Sequence, residues 1–304
     1  MGMLKRYWKL FVLFWSVVVA GIIGIVVFFW LISAGKLGFM PTFEELENPN
    51  NRFASEVYFS DGPVMSKYFE KENRKYTEFK EIPVSVIDAL VATEDVRFYA
   101  HSGIDVRGLF RVLKGLLTAN SSAGGGSTIS QQLAKMLFPR EPDLNVCELA
   151  IRKFREWVIA VRLEKSYTKE EIITMYLNKY DFLNLAVGIS SAADIYFQVP
   201  LDSLKMEQAA MLVGMAKNSS YYNPVRRPEL TLKRRNVVLH QMYKYGKITA
   251  EQYDSLKMLP LGLNFKRVDH KEGLATYFRE YLRLYMTANK PERGNYRSIG
   301  QFKL

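Results

Sequence analysis

The sequence predicts a mainly α-helical protein that begins with a membrane-spanning helix and carries a small β-hairpin. Three observations predict this: an uncharged apolar run near the N-terminus, a short alternating segment after it, and helical spacing of apolar residues through most of the remaining chain. The chain has 304 residues, of which 48% are hydrophobic and 24% charged. These values are typical of one or two globular domains rather than of a disordered or fibrous chain.

The apolar run occupies residues 10–35 and contains no charged residue. A helix of that length can cross a hydrocarbon core of about 30 Å. Because Lys5, Arg6 and Lys9 precede the run, the positive-inside rule predicts a cytoplasmic tail at residues 1–9 and places the rest of the chain outside the cytoplasm. The alternative is a cleaved signal peptide, which the length of the run and the lack of a small-residue cleavage site disfavour.

A stalk at residues 36–81 is predicted to follow the anchor. Its segment 55–69 alternates apolar and polar residues around Asp61-Gly62-Pro63, a pattern that indicates a β-hairpin. Pro83 then precedes apolar residues at helical spacing, which predicts a helix start because proline is tolerated in a first turn. From there to about Leu256 the pattern is almost wholly helical.

The charge and the rare residue types limit the kinds of site. A net charge of +11 fits a nucleic acid, an anionic membrane surface or a phosphate-bearing substrate, and the membrane anchor disfavours the first. The single cysteine, Cys147, excludes an intramolecular disulfide, and its helical spacing with Ile151 and Phe154 predicts a buried thiol. The three histidines do not lie at metal-ligand spacing, so we expect no histidine-built metal site.

The first of three polar runs extends from Glu94 to Gly103 and reads EDVRFYAHSG. Glu94, Arg97 and His101 stand at i, i+3 and i+7, so they would share one face of a helix predicted to end near Ala100. Asp95 and Phe98 flank them. A lone acidic residue in a helix is usually a solvated charge, so this run alone does not define a site.

The second and third runs add hydroxyl, amide and cationic side chains. The second run follows the glycines at 124–126 and opens a helix, where capping groups and backbone N–H groups can bind an anion. Its polar residues are Ser127, Thr128, Ser130, Gln131, Gln132 and Lys135. In the third run, Lys153 and Glu156 are at i, i+3 and Arg152 and Glu156 at i, i+4, which taken alone indicates a surface ion-pair lattice.

A basic amphipathic segment lies between the first and second runs. Its cationic residues are Arg107, Arg111 and Lys114, and leucine, valine and phenylalanine alternate with them. Two interpretations stay open: a helix that lies against the lipid surface, or a core helix with a solvated basic face.

In their order along the chain, the three runs resemble the first three motifs of the family 51 glycosyltransferases, found in class A penicillin-binding proteins and monofunctional peptidoglycan glycosyltransferases. A fourth motif, Tyr176-Leu177-Asn178, follows. A fifth extends from Lys217-Asn218 to Pro228, with Arg234-Arg235-Asn236 after it. Five ordered motifs are a far more specific signal than one. The chain departs from the family at residues 182–188, where many members have F-G-x-G and this sequence reads FLNLAVG, which leaves the loop backbone open.

The resemblance implies a lysozyme-like glycosyltransferase domain at residues 82–245. Residues 246–304 resemble the start of a linker toward a transpeptidase domain that this sequence lacks, so we expect no transpeptidase activity. The S-x-x-K pattern at Ser166–Lys169 has no partner motifs and is interpreted as a chance match.

The implied reaction is the polymerisation of lipid-linked disaccharide-pentapeptide (lipid II) into glycan strands, with inversion and release of polyprenyl pyrophosphate. The resemblance makes Glu94 the general base, with Lys135 and Glu156 as the other catalytic residues. The implied substrate-binding residues are Asp95, Arg97, Phe98, His101, Arg111, Gly126, Ser127, Thr128, Gln131, Gln132, Arg152, Lys153 and Asn178. His101 is also expected to brace the loop that carries Glu94.

The resemblance requires no cofactor, although a divalent cation (Mg or Mn) could assist at the pyrophosphate. The implied partners are lipid II, the growing glycan strand, the inner membrane and a cell-wall synthesis complex; no nucleic acid is expected. Two other classes of function remain. A lysozyme-like glycoside hydrolase would pair Glu94 with a second carboxylate and would not need the cations. A catalytically silent membrane scaffold would tolerate the loss of Glu94 and Lys135.

Overall fold

The computed structural model describes residues 2–38, 40–41, 55–58, 64–68, 73–118, 125–137 and 145–266, together with Tyr277, Tyr281 and Tyr285. The predicted hairpin turn at 61–63, Gly124 and nearly all of the predicted linker beyond residue 266 lie outside the described residues.

The described residues are mainly helical, as predicted. The α-helices are α1 (Gly2–Ser33), α2 (Val84–Glu94), α3 (Val106–Leu117), α4 (Ile129–Leu137), α5 (Val146–Ser166), α6 (Lys169–Lys179), α7 (Ile189–Phe197), α8 (Met206–Met215), α9 (Pro228–Lys244) and α10 (Ala250–Met258). The strands are β1 (Ser55–Tyr58), β2 (Val64–Tyr68), β3 (Asn73–Arg74) and β4 (Ala186–Val187). Short 3-10 turns span Phe79–Glu81, Phe98–Ala100 and Leu201–Ser203.

Two local predictions are confirmed. The N-terminal run forms the continuous helix α1, and its segment Tyr7–Ser33 is long and apolar enough to cross a membrane by length and composition. Strands β1 and β2 pair antiparallel as the predicted hairpin, with a register shift between Val57 and Tyr58. β3 pairs with β4 in parallel.

The chain divides into two compact units. The first comprises residues 1–49 and 101–168, and the second comprises residues 50–100 and 169–304. In the first unit, α5 packs against both α1 and α4. Asn145 and Glu148 form a capping box that starts α5, since each side chain accepts the backbone N–H of the other.

Helix α8 is the centre of the second unit. Every residue from Gln208 to Met215 is buried, as expected of a helix that is apolar on all sides. Helices α2 and α9 pack against it. Arg235 of α9 is fully buried, and its guanidinium donates to the carbonyls of Pro260 and Lys257, which ties α9 to the chain at the end of α10.

The loop that departs from the family pattern has a left-handed backbone at three residues that are not glycine. Leu183, Asn184 and Leu185 have φ angles of 65°, 52° and 67°. A left-handed conformation costs a residue with a Cβ about 1–2 kcal/mol, so tertiary contacts must hold this loop. The Tyr196 hydroxyl supplies two of them: it donates to the Phe182 carbonyl (2.6 Å) and accepts from the Asn184 amide (2.9 Å).

Two local predictions are wrong. Helix α2 ends at Glu94, and Asp95 leaves the helical conformation with φ −156° and ψ 75°, so Glu94, Arg97 and His101 do not share one helical face. The fully buried Phe98 lies in the 3-10 turn that follows the end of α2. Cys147 is exposed in the first turn of α5, whereas burial of this helix begins further along the chain, at Ile159.

Candidate active site

Glu94 ends α2 in the second unit and contacts Arg234 of α9. One guanidinium nitrogen of Arg234 (Nη2) lies 3.1 Å from Oε1 of Glu94, and the two side chains are 10% and 13% exposed. The Arg234 Nε donates to the Gly214 carbonyl at 3.3 Å. A Cβ on Gly214 would lie 3.2 Å from the Arg234 Cγ, so glycine lets this arginine pass closely over α8 toward the carboxylate.

Two tyrosines stand in the electrostatic field of Glu94. Burial raises the pKa of Tyr176 well above its ordinary value of 10, and the Glu94 charge raises it further. Burial also raises the pKa of Tyr180 to about 12; the Glu94 charge adds to this effect, while a hydrogen bond with Ser219 opposes it. Both phenols therefore stay neutral near pH 7, and neither adds a negative charge to the surroundings of Glu94.

Asn178 of the fourth motif is a structural residue in the second unit. Its Oδ1 accepts the Thr77 N–H at 2.9 Å, and its Nδ2 donates to the carbonyls of Thr77 (2.8 Å) and Thr174 (2.9 Å). Gly188, with φ +87°, packs against the same residue, since a Cβ there would lie 3.0 Å from the Asn178 carbonyl oxygen. These bonds give Asn178 a scaffold role, and its contribution to substrate binding stays a prediction.

Replacing Asn178 by alanine should destabilise the protein. The substitution leaves the buried Thr77 N–H and two carbonyls without their partner, and each such loss costs about 1–3 kcal/mol. Denaturant unfolding of the detergent-solubilised chain should therefore show a lower midpoint. The exposed Asn264 is a matched control, and Asn264→Ala should change stability by less than about 0.5 kcal/mol. Equal midpoints for the two variants would contradict the scaffold role.

In the first unit, the carbonyl of Gly103 joins the first and second motifs. It accepts the Thr128 hydroxyl at 2.7 Å and the Gln131 amide at 3.3 Å. Gly103 has φ +93°, and a Cβ there would lie 2.9 Å from the Ala160 backbone, so only glycine fits between the loop and α5. His101 Nδ1 accepts the Gly103 N–H at 3.2 Å, a contact within this loop; its role in bracing the loop that carries Glu94 stays a prediction.

These internal bonds limit what Thr128 and Gln131 can offer to a substrate. Thr128 also accepts the backbone N–H of Gln131 at 3.2 Å, as a cap of α4. The Oε1 of Gln131 is buried and accepts no hydrogen bond from the described residues. This oxygen can therefore accept a hydrogen bond from a further donor.

The second and third motifs meet at the Lys153 ammonium. Its Nζ lies 3.1 Å from the Ser127 Oγ and 2.7 Å from Oε2 of Glu156. Glu156 is 12% exposed and Lys153 is 42% exposed, so the carboxylate lies beneath a cation that faces solvent. We call Lys153, Ser127 and Glu156 the Lys153 cluster. Charge and hydroxyl chemistry of this kind suits phosphate oxygens.

The other predicted site residues have varied environments. Lys135 and Arg111 are exposed, and Arg97, Gln132 and Arg152 are half-buried. Asp95 is buried, at 7% exposure. Phe98 is fully buried, and the Lys169 ammonium lies 4.3 Å from its ring centroid. A Cβ on Gly126 would lie 3.2 Å from a methyl carbon of Val112, so packing alone accounts for this glycine.

Comparisons with known proteins bear on the class of this site. A transglycosylase family model matches residues 61–243, more than half of the chain. Penicillin-binding protein 1A of Escherichia coli (strain K12) is 34% identical over 226 residues, which is 74% of this chain and 26% of that protein. Penicillin-binding protein 1A of Aquifex aeolicus (strain VF5) is 35% identical over 276 residues, 88% of this chain and 36% of that protein.

A crystal structure of penicillin-binding protein 1A from Haemophilus influenzae matches 80% of this chain and 25% of that chain, with a TM-score of 0.43 and 20% identity. The chain belongs to the transglycosylase family, the family 51 glycosyltransferases, and matches the N-terminal glycosyltransferase part of class A penicillin-binding proteins. The predicted enzyme class, a peptidoglycan glycosyltransferase, is confirmed at the level of the family. The chain spans about a quarter to a third of the length of these two curated relatives.

Sequence reasoning assigned no role to Arg234, the partner of Glu94. The fifth motif contained the signal, but its adjacent arginines could not be told apart by sequence. The structure separates them: Arg234 contacts a carboxylate, whereas Arg235 binds main-chain carbonyls.

Proposed function

We propose that this chain polymerises lipid II into glycan strands and releases polyprenyl pyrophosphate, with Glu94 as the general base. The observation that carries the proposal is the nearly buried Glu94 carboxylate, held by Arg234 in surroundings that contain neutral tyrosines. The membership of the chain in the transglycosylase family supports the reaction class.

The reaction needs a base because the 4-hydroxyl of the acceptor sugar is far too weak an acid to ionise at pH 7. Glu94 takes this proton as the hydroxyl oxygen attacks C1 of the donor sugar. The bond from C1 to the phosphate oxygen breaks, its electron pair leaves with the pyrophosphate, and the configuration at C1 is inverted. Arg234 orients the carboxylate, since its Nη2 donates a hydrogen bond to Oε1 of Glu94 at 3.1 Å.

The leaving pyrophosphate needs positive charge where its own negative charge develops. Lys153, Arg152 and Lys135 supply it in the proposed mechanism. Glu156 keeps the Lys153 ammonium in place through the 2.7 Å contact, and Ser127 directs it from the other side. Arg97, Arg111 and Gln132 are proposed to bind phosphate or sugar oxygens.

A divalent cation could assist at the pyrophosphate. Among the described residues, no group of three or more histidine, cysteine, aspartate or glutamate side chains could hold a metal ion. Glu156 could still contribute one ligand, since Mg²⁺ is commonly held by one or two carboxylates together with substrate phosphates. Among the described residues, Glu156 is therefore the proposed contact for a cation that would arrive with the substrate.

The proposal also requires a location at the membrane. The apolar run of α1 from Leu10 onward and the cationic residues at the start of that helix suit a single span of the inner membrane with a cytoplasmic N-terminus. Lipid II and the growing strand would then meet the enzyme on the outer face, where a cell-wall synthesis complex could assemble.

Incubation of the reconstituted chain with purified lipid II tests the function. We expect glycan strands longer than one disaccharide, measured by gel electrophoresis of labelled product, with and without a chelator. The Glu94→Gln variant is the control. Hydrolysis of preformed strands, without elongation, would indicate a glycoside hydrolase instead. If neither lipid II nor the preformed strands are changed, the chain would be a catalytically silent scaffold.

A further inference from the structure

The C-terminal end of the anchor helix α1 is packed against α5. The Phe154 ring of α5 stands edge-on to the rings of Phe28 and Phe29, with centroid distances of 5.4 and 5.7 Å. Trp157 extends the same aromatic group, 5.3 Å from Phe154. Ile32, in the next turn of α1, is fully buried. The anchor is therefore docked on α5, the helix that carries Lys153 and Glu156 of the Lys153 cluster, and is more than a flexible tether.

Arg162 lies two turns further along α5 and forms hydrogen bonds with the end of α1. Its Nη2 donates to the Ser33 carbonyl at 2.9 Å and to the Ser33 hydroxyl at 2.8 Å, while Nη1 donates to the Pro41 carbonyl at 3.0 Å. The last carbonyls of a helix lack intrahelical partners and carry partial negative charge, so a guanidinium is well suited to them. Its planar fork holds the end of α1 and the chain after it together.

The aromatic contact also fixes a depth in the membrane. A helix rises 1.5 Å per residue, so about 20 residues cross a hydrocarbon core of about 30 Å. Counted from Leu10, the first residue after the cationic flank, the core ends near Phe29. This count would put Phe154, which contacts Phe29, at the boundary between hydrocarbon and headgroups, and Lys153 directly precedes Phe154 in the chain. The Lys153 cluster would then lie at the layer of the lipid phosphates.

We infer that Arg162 is a positioning residue that, with Phe154, holds the Lys153 cluster at the depth of the pyrophosphate of a membrane-embedded polyprenyl substrate. The inference rests on the proposed function. The substrate keeps its tail in the bilayer, so its pyrophosphate stays at a fixed depth in the membrane. It can contact the cations only if they lie at the same depth. An anchor helix that is packed against α5 fixes the depth of the Lys153 cluster, whereas an unpacked anchor would let that depth vary.

The test compares two substrates in the same proteoliposomes, which contain the full chain. One is lipid II with a long polyprenyl tail in the bilayer, and the other is a water-soluble analogue with a short tail. Arg162→Ala should lower kcat/KM for the embedded substrate by roughly 10- to 100-fold, the size expected of a displacement near 1 Å. Activity on the soluble analogue should be nearly unchanged. Arg162→Lys should recover part of the loss, since one ammonium can bind some of the three oxygens.

Lys165→Ala is the matched control, because Lys165 is an exposed cation of the same helix, one turn from Arg162. It should leave both activities within about twofold of wild type. An equal loss on both substrates in Arg162→Ala would mean a general structural role and would overturn the inference, as would wild-type activity on both. A wild-type chain inactive on both substrates would instead refute the proposed function.

Discussion

Replacing Glu94 by glutamine is expected to lower the rate of glycan polymerisation by at least ~10²- to 10⁴-fold, the range typical of a lost general base. Glutamine has nearly the same size and still accepts a hydrogen bond from Arg234 at the position of Oε1. It cannot take a proton from the acceptor hydroxyl near pH 7. The initial rate of strand formation from lipid II measures the effect.

Binding of lipid II should survive in Glu94→Gln, because the proposed pyrophosphate-binding cations are unchanged. Asp88→Asn is a control on the same helix: it breaks the 2.6 Å ion pair between Asp88 and Lys247 and should leave polymerisation intact. Normal strand formation by Glu94→Gln would exclude this residue as the base. An equal loss in Asp88→Asn would show that any disturbance of α2 inactivates the enzyme.

Removing the Lys153 ammonium should produce the second large effect. Lys153→Ala is expected to lower turnover by about 10²- to 10³-fold, as seen when one preorganised charge-stabilising donor is lost. The substitution also removes the cation that pairs with the Glu156 carboxylate, which is 12% exposed. That negative charge would then face the developing charge of the pyrophosphate. Lys153→Arg should recover only part of the rate, because a planar fork does not replace a compact ammonium. Lys135→Ala is expected to fall in the same range.

The comparison with Glu156→Gln separates the roles within the Lys153 cluster. If Glu156 orients the Lys153 ammonium, its amide variant should weaken lipid II binding as well as turnover, and by less than Lys153→Ala. Titration of substrate affinity alongside initial rates measures both quantities. Lys165→Ala again serves as the charge-matched control on α5. Wild-type turnover in Lys153→Ala would remove this lysine from the pyrophosphate site.

Features that depend on residues close together in the sequence were predictable without coordinates. The anchor helix needs only an uncharged apolar run, and the hairpin β1–β2 needs only period-two alternation. The five motifs identified the family because their residue types and order can be read without coordinates. The i, i+3 contact between Lys153 and Glu156 was also predictable, since helix geometry alone brings such a pair together.

Features that depend on packing between distant segments were decided by the tertiary structure. The partner of Glu94 lies 140 residues away on α9, and Asn178 is bound to Thr77, 101 residues before it. In each case the sequence indicated a polar residue but not which group would satisfy it.

The exposed Cys147 and the end of α2 at Glu94 have the same cause, since helical periodicity does not say where other elements stop covering a helix. The loop at Leu183–Leu185 also lies beyond sequence reasoning. Its left-handed backbone, which local preference disfavours for residues with a Cβ, is held by hydrogen bonds to Tyr196, a residue of α7. Periodicity and motifs therefore determined the elements and the family, while packing between distant segments decided which buried polar groups bind one another.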